Sequence, residues 1–199
     1  MIYIEYVERD RFMPIEIFRY LGNQSAWTDP DDSLVGSFGR TMRIGPMPSY
    51  LALWKCSGME RMDEWEAYFR SEKGLRDAHE LATHRAIHLQ KAGCYDELFT
   101  GTAPDRAGLH YIEYFATDGA DKPDAVAAPF IERGKQTPGA TLNFVLRRIG
   151  LLGPNPGGIA IWTVPDYVAL ERFVRVSPSG DRFSPTEAGV YRWFGEEIL

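Results

Sequence analysis

Apolar and polar or amphipathic side chains alternate along residues 2–7 and again along residues 109–115, the two-residue period of a strand. Between and after these runs the pattern predicts a regular order of elements. A helix is expected over 13–21, with Pro14 in its first turn and Gly22 as its stop. Strands follow over 34–44 and 50–55, joined by the turn-rich Gly45-Pro46-Met47-Pro48-Ser49. Residues 63–68 open a helical tract that runs, with an interruption at Gly74, to Gly93, and 95–99 forms a short closing strand. The second half repeats the order with strands at 109–115, 141–149, 158–164 and 190–194 and helices at 125–134 and 166–174. Each half is strand, helix, strand, strand, helix, strand, the ferredoxin-like plan.

The two halves also share letters. Tyr3-Ile4-Glu5-Tyr6 recurs as Tyr111-Ile112-Glu113-Tyr114, and Gly45-Pro46-x-Pro48-x-x-x-Ala52-x-Trp54 recurs as Gly153-Pro154-x-Pro156-x-x-x-Ala160-x-Trp162. A single offset of 108 positions, without gaps, relates both pairs and also Asp10 to Asp118, Pro30 to Pro138, Leu34 to Leu142 and Arg40 to Arg148. A repeat at a fixed period indicates two copies of one structural unit. The expected division is a first repeat at 1–100, a linker at 101–108 containing Pro104, and a second repeat at 109–199. Each copy alone is near the size at which a separate core is only marginally stabilising. Two four-stranded sheets, each covered by helices on one face, would most simply bury their other faces against each other. The expected fold class is therefore α+β, tandem duplicated ferredoxin-like repeats forming an intrachain dimeric α+β barrel with a lumen.

Leu34-Val35-Gly36, then Arg43-Ile44-Gly45-Pro46, then Ala52-Leu53-Trp54, together with the opening Ile2-Tyr3 strand, resemble the NIPSNAP family of the dimeric α+β barrel superfamily. The resemblance covers about the first 70 residues and, more weakly, the second copy through Gly153-Pro154 and Trp162. It implies a fold and a pocket rather than a set reaction. Where many members carry His two residues before the Trp, this chain has Ala52 and Ala160, so any role of that histidine is missing. Haem enzymes built from duplicated barrels resemble the layout too, but they use an axial histidine in the second half, and residues 111–199 contain none.

Composition narrows the function classes. The 199 residues are 44% hydrophobic and 25% charged, with a net charge of −6, which argues against nucleic-acid binding, since phosphate backbones call for a clustered positive surface. No apolar run approaches the roughly 20 residues of a membrane helix. The chain opens on a strand pattern rather than a secretory leader, so the cytoplasm is the expected location. Cys56 and Cys94 have neither the count nor the spacing of a disulfide framework or zinc site.

Alternation puts Tyr3 and Glu5 on one side of the first strand and Tyr111 and Glu113 on the matching side of the fifth. Ile4 and Ile112 suit a helix-packed face, which would turn both Tyr and Glu pairs into the lumen. A carboxylate against apolar walls has its pKa raised by desolvation and can act as a general acid or base. Glu5 and Glu113 are thus candidate proton carriers, with Tyr3 and Tyr111 as hydrogen-bond donors. Arg40 and Arg148 are candidate anchors for an anionic substrate, or partners that neutralise the glutamates in an ion-pair network. Trp54 and Trp162 are expected as barrel filling or pocket wall. His110, which replaces Ile2 in the second copy, is a further candidate proton carrier, or an ordinary hydrogen-bonded histidine. His84 and His88 have the i, i+4 spacing of a helical chelate, but no third ligand is evident beside them, and an amphipathic helix explains them better. No cofactor or metal is implied. The leading expectation is a cofactor-independent lyase, decarboxylase or isomerase acting on a small aromatic or apolar acid. A cofactor-free monooxygenase and a non-catalytic binding protein are the alternatives, and the fused unit could pair again as a homodimer.

Overall fold

A computed structural model describes residues 1–8, 33–45, 48–73, 88–117, 119–176 and 183–193. The expected helix at 13–21 lies outside them. The strands are β1 (Ile2–Glu8), β2 (Ser33–Arg40), β3 (Tyr50–Lys55), β4 (His88–Thr100), β5 (Leu109–Phe115), β6 (Thr141–Arg148), β7 (Gly158–Val164) and β8 (Pro185–Trp193). The helices are α1 (Glu60–Arg70), α2 (Pro123–Gln136) and α3 (Tyr167–Arg175). Asp166 caps α3, its carboxylate accepting the Ala169 backbone N–H at 2.7 Å. Residues 101–108 carry no strand or helix.

Strand order closes the sheet into a barrel, β1-β3-β2-β8-β5-β7-β6-β4, antiparallel throughout. Each half contributes its strands in ferredoxin order, and each half's edge strand pairs with the other's: β2 with β8, and β4 with β6. The registers repeat as the letters do. Tyr3 faces Trp54 and Glu5 faces Ala52, just as Tyr111 faces Trp162 and Glu113 faces Ala160. Bulges recur at equivalent points, between Tyr6 and Val7 on β1 and between Tyr114 and Phe115 on β5.

The long strand β4 departs from the sequence pattern. Ala86 and Leu89 fit a helical stripe, yet His88 already begins the strand. His88 therefore cannot share a helix turn with His84, which lies outside the described residues together with His79. Among the described residues no group of His, Cys, Asp or Glu could hold a metal ion, and no helix is long and apolar enough to cross a membrane.

The barrel interior is solid. Ile2, Ile4, Phe38, Leu51, Leu53, Tyr95, Ile112, Leu146, Ile161, Tyr191 and their neighbours from all eight strands form one cluster. An eight-stranded barrel is just wide enough for side chains to fill. Ile4 and Ile112 thus point inward, and the expected facing is reversed. Tyr3, Glu5, Tyr111 and Glu113 lie on the outer surface, beneath the helices.

Two seams join the halves, and the repeated Gly-Pro turns close them. The Thr41 N–H donates to Val190 O at 2.9 Å and the Val190 N–H to Ile44 O at 3.1 Å. At the equivalent seam the Ile149 N–H donates to Cys94 O at 2.9 Å and the Cys94 N–H to Leu152 O at 2.8 Å. Gly45 and Gly153 sit at φ of +99° and +149°. A methyl group on Gly45 would lie 2.4 Å from the Gly189 Cα, and one on Gly153 3.0 Å from the Gly93 Cα. We expect Gly45→Ala to destabilise the fold by roughly 2–4 kcal/mol, since backbone strain and a backbone clash add. Gly150→Ala, at φ +54° with open space around it, should cost only about 1 kcal/mol. Urea unfolding midpoints compare the two, and equal losses would remove the seam contact from the account.

Candidate functional site

In the second half the outer sheet face is neutralised and filled. Glu113, 1% exposed, accepts from Arg133 Nη1 on α2 at 2.6 Å and from Trp162 Nε1 at 2.9 Å. Arg133, 4% exposed, also donates through Nη2 to Phe173 O at 3.3 Å, and its guanidinium stacks 3.9 Å from the Phe173 ring centre. Burial raises the Glu113 carboxyl above its ordinary pKa, while the Arg133 charge and the two hydrogen bonds pull it down. The arginine stays charged in any protein setting, so the pair is a buried ion pair. Phe115, Phe130, Trp162 and Phe173 pack around it.

The first half has the same frame with different contents. Trp54 Nε1 donates to Glu5 Oε2 at 3.1 Å, the counterpart of the Trp162 bond. Tyr3 meets Trp65 edge-on at 5.1 Å, as Tyr111 meets Phe173 at 5.7 Å. In both halves the alanine facing the glutamate, Ala52 or Ala160, leaves room for the indole two residues on. But Ser25 stands at the repeat position of Arg133, and among the described residues no cation pairs with Glu5. Glu5 is half-buried. Burial raises its pKa and the Trp54 bond lowers it.

Two polar groups accompany Glu5 that have no counterpart across the repeat. Tyr50 OH lies 2.9 Å from Ser37 Oγ, both buried. Burial raises the Tyr50 pKa, the Ser37 bond lowers it, and the Glu5 charge raises it further, which places the phenol within electrostatic reach of that carboxylate. The repeat offset matches Tyr50 to Gly158 and Ser37 to Val145. The Phe115 ring lies over Gly158, 2.3 Å from where a Cβ would stand. Comparing the copies position by position for polar residues on one side only would have found Tyr50 and Ser37 in the sequence.

The remaining expected site residues are scattered. Arg148 does not reach either glutamate: it donates to Gly150 O, Gly153 O, Pro154 O and Asn155 Oδ1 at 2.8–3.1 Å, clamping its own hairpin. Arg40 Nη1 donates to Gly45 O at 3.1 Å in the matching hairpin. Both arginines sit away from the glutamates because β2 and β6 run on into those turns. The expected neutralising partner was instead Arg133, which the strands alone could not suggest. Tyr3 and Tyr111 remain phenols, since burial and the adjacent glutamate raise both, Tyr111 to about 12.

His110 faces inward, at the opposite side of β5 from Glu113. Fully buried, it packs 4.7 Å from the Phe38 ring and 6.4 Å from the Trp193 ring. Its Nδ1 lies 3.4 Å from Thr163 Oγ1, which donates to Asn143 Oδ1 at 2.9 Å. Its Nε2 has no hydrogen-bond partner among the described residues. Burial, with the Asp105 charge opposing and Arg192 reinforcing, lowers its pKa to about 4. A neutral imidazole sealed among rings is part of the barrel filling.

No family model matches the chain, and no curated protein is significantly similar to it in sequence. Its fold is shared with solved structures at 8–12% identity. A haem-binding protein from Thermus thermophilus matches at 12% identity and TM-score 0.56, over 98% of this chain and 91% of that one. A variant chlorite dismutase from Candidatus Nitrospira defluvii matches at 10% and 0.53, over 96% and 90%. A proposed monooxygenase from Lactobacillus acidophilus NCFM matches at 11% and 0.55, over 96% and 91%. The fold is thus that of the chlorite dismutase-like dimeric α+β barrels. The described residues do not fit a haem. In the second half the layer between sheet and helices is occupied by Phe130, Trp162, Phe173 and the Glu113–Arg133 pair, and the one histidine there points into the barrel.

The two glutamates should respond oppositely to neutralisation. Glu113→Gln leaves the Arg133 charge buried and unpaired, and should cost about 3–5 kcal/mol in urea unfolding. Glu5→Gln should raise stability at pH 8 and leave it unchanged at pH 3. A carboxyl with a raised native pKa releases its proton first in the unfolded chain, so its contribution is lost as pH rises past the ordinary carboxylate value. His110 has the reverse sign. Its native pKa is depressed, so stability should fall as pH drops from about 6.5 towards 4, and His110→Phe should flatten that slope in thermal melts.

Proposed function

We propose that the chain is a cofactor-independent enzyme of the dimeric α+β barrel superfamily, related to the NIPSNAP group and built by tandem duplication of a unit spanning 1–100 and 109–199. Its active copy is the first. Glu5 takes and returns a proton on a small, largely apolar or aromatic substrate held against the outer face of β1 and β3. The observation that supports this reading is the half-buried Glu5, which has no cationic partner among the described residues, set beside an equivalent Glu113 that is locked to Arg133.

Each neighbour has a role consistent with proton transfer. The Trp54 indole donates to one oxygen of the Glu5 carboxylate, and the other has no hydrogen-bond partner among the described residues. Burial among Tyr50, Ala52 and Trp54 keeps the carboxyl poised closer to neutrality than a surface glutamate. The Tyr50 phenol, with Ser37 beside it, is a hydrogen-bond donor for negative charge that develops on the substrate. Tyr3 and Trp65 supply an aromatic wall. Proton abstraction followed by return at another atom is an isomerisation, and abstraction with loss of a leaving group is a lyase reaction. An anionic anchor is not part of the reading, because Arg40 and Arg148 are engaged in their own hairpins.

Thermal-shift screening of phenols, small aromatic acids and lactones finds ligands through the rise in apparent stability that native-state binding produces. For each hit, proton NMR in D2O follows exchange of its acidic C–H. We expect exchange that accelerates as pH rises through the Glu5 pKa and falls about 100-fold or more in Glu5→Gln, with a smaller loss in Tyr50→Phe. Exchange indifferent to Glu5→Gln would end this assignment, and consumption of O2 by a phenolic hit would move it to a cofactor-free monooxygenase.

A further inference from the structure

The end of the barrel where β1 and β5 finish holds a cavity of about 200 Å³ lined by Tyr6, Pro48, Lys91, Tyr114, Pro154, Asn155, Pro156 and Glu187. It lies between the two Gly-Pro hairpins, where the halves face each other, and its lining is paired by the repeat. Tyr6 corresponds to Tyr114 and Pro48 to Pro156 at the common offset. Lys91 is the β4 partner of Tyr6, and Glu187 is the β8 partner of Tyr114. The equivalent bulges on β1–β4 and β5–β8 come directly after these pairings, and bulges re-aim side chains at barrel rims.

The repeat is therefore symmetric in shape and opposite in charge at this point. Lys91 and Glu187 are both exposed, and among the described residues neither forms an ion pair. At the base, Tyr6 OH is satisfied by Tyr95 OH at 2.6 Å. Tyr114, 6% exposed, has a buried hydroxyl with no hydrogen-bond partner assigned among the described residues, and burial first and the neighbouring Tyr191 second raise its pKa. A buried phenol without a partner is uncommon, and here it borders a cavity. Three proline rings supply apolar wall between the charges.

We propose that this mouth binds a small zwitterion of amino-acid size, its carboxylate towards Lys91, its ammonium towards Glu187, and the Tyr114 hydroxyl as the third polar contact. An anion alone would meet Glu187 and a cation alone Lys91, so the arrangement selects molecules that carry both charges. The volume is below the roughly 300–1,000 Å³ of pockets for drug-sized ligands, which limits the guest to a short apolar body. The site is distinct from Glu5, which lies on the outer face.

Isothermal titration with leucine, γ-aminobutyrate and ε-aminocaproate, against isocaproate and isoamylamine, tests the proposal on the full chain. We expect at least one zwitterion to bind, and its single-charge analogues to bind about tenfold more weakly or worse, as loss of a charge-assisted bond implies. Lys91→Met and Glu187→Gln should each lose a similar factor, and the exchange Lys91→Glu with Glu187→Lys should recover it. Both side chains are exposed, so these variants keep the fold, and Glu5→Gln should leave the affinity unchanged. Failure of all three zwitterions to bind, or binding indifferent to both single variants, would overturn it.

Discussion

Closure of the sheet is the constraint from which the other features follow. A four-stranded ferredoxin-like sheet has two edges whose backbone groups seek partners. Here each is satisfied by the other half, β2 by β8 and β6 by β4. The seams demand that a hairpin backbone come against a neighbouring strand with no side chain between them, which is why Gly45 meets Gly189 and Gly153 meets Gly93. Gly189 and Gly93 serve a second purpose, since the rings of Tyr191 and Tyr95 lie over them, 2.6 and 2.8 Å from where a Cβ would stand. The arginines at the ends of β2 and β6 bind carbonyls of these same hairpins. Closure, interior filling and mouth shape are thus set by one group of residues.

With the interior filled, both glutamates of the repeat lie on the outer faces. The outer faces show how one frame gives two outcomes. Both carry Glu, Ala and Trp in one arrangement, with the indole donating to the carboxylate at 3.1 Å in the first half and 2.9 Å in the second. An added arginine turns one of these into a buried ion pair. Such a pair contributes little net stability over an apolar isostere, yet losing one partner is expensive, so it locks its surroundings rather than leaving a group free to titrate. In the other half no cation among the described residues pairs with the equivalent Glu5.

The order of the described strands, the bounds of β1, β3, β5 and β7 and the closure of the sheet into one barrel were legible, because period-two alternation and an ungapped repeat are strong signals. The facing was not. Alternation shows which residues share a face but not which face is inside, and both faces of this sheet are covered. Ile4 and Ile112 would suit a helix-packed layer as well as a barrel interior, and Tyr6 and Tyr114 behave likewise. The start of β4 was hidden for a related reason: Ala86 and Leu89 satisfy helical spacing, while strand pairing with β1 decides the outcome. Arg133 escaped notice because its partner lies on another element, 20 positions away. Glu5, Glu113, Tyr3, Tyr111 and Trp54 were all singled out, but for a lumen that is packed.

The same repeat that hid the facing exposes where the two halves differ. Positions bound by closure stay alike in the two copies: Gly45 and Gly153, and Arg40 and Arg148. Positions free of that constraint differ in polarity or charge, namely Tyr50 against Gly158, Ser37 against Val145, Ser25 against Arg133, and Lys91 against Glu187. A pair of like charges at the mouth would repel across a narrow gap, so a barrel of two identical halves would carry a single-sign site there. Opposite charges at matched positions remove that repulsion without filling the space, and the unsatisfied Tyr114 hydroxyl beneath them gives the space a polar floor. The two halves therefore differ at the outer face and at the mouth, while their closing contacts match.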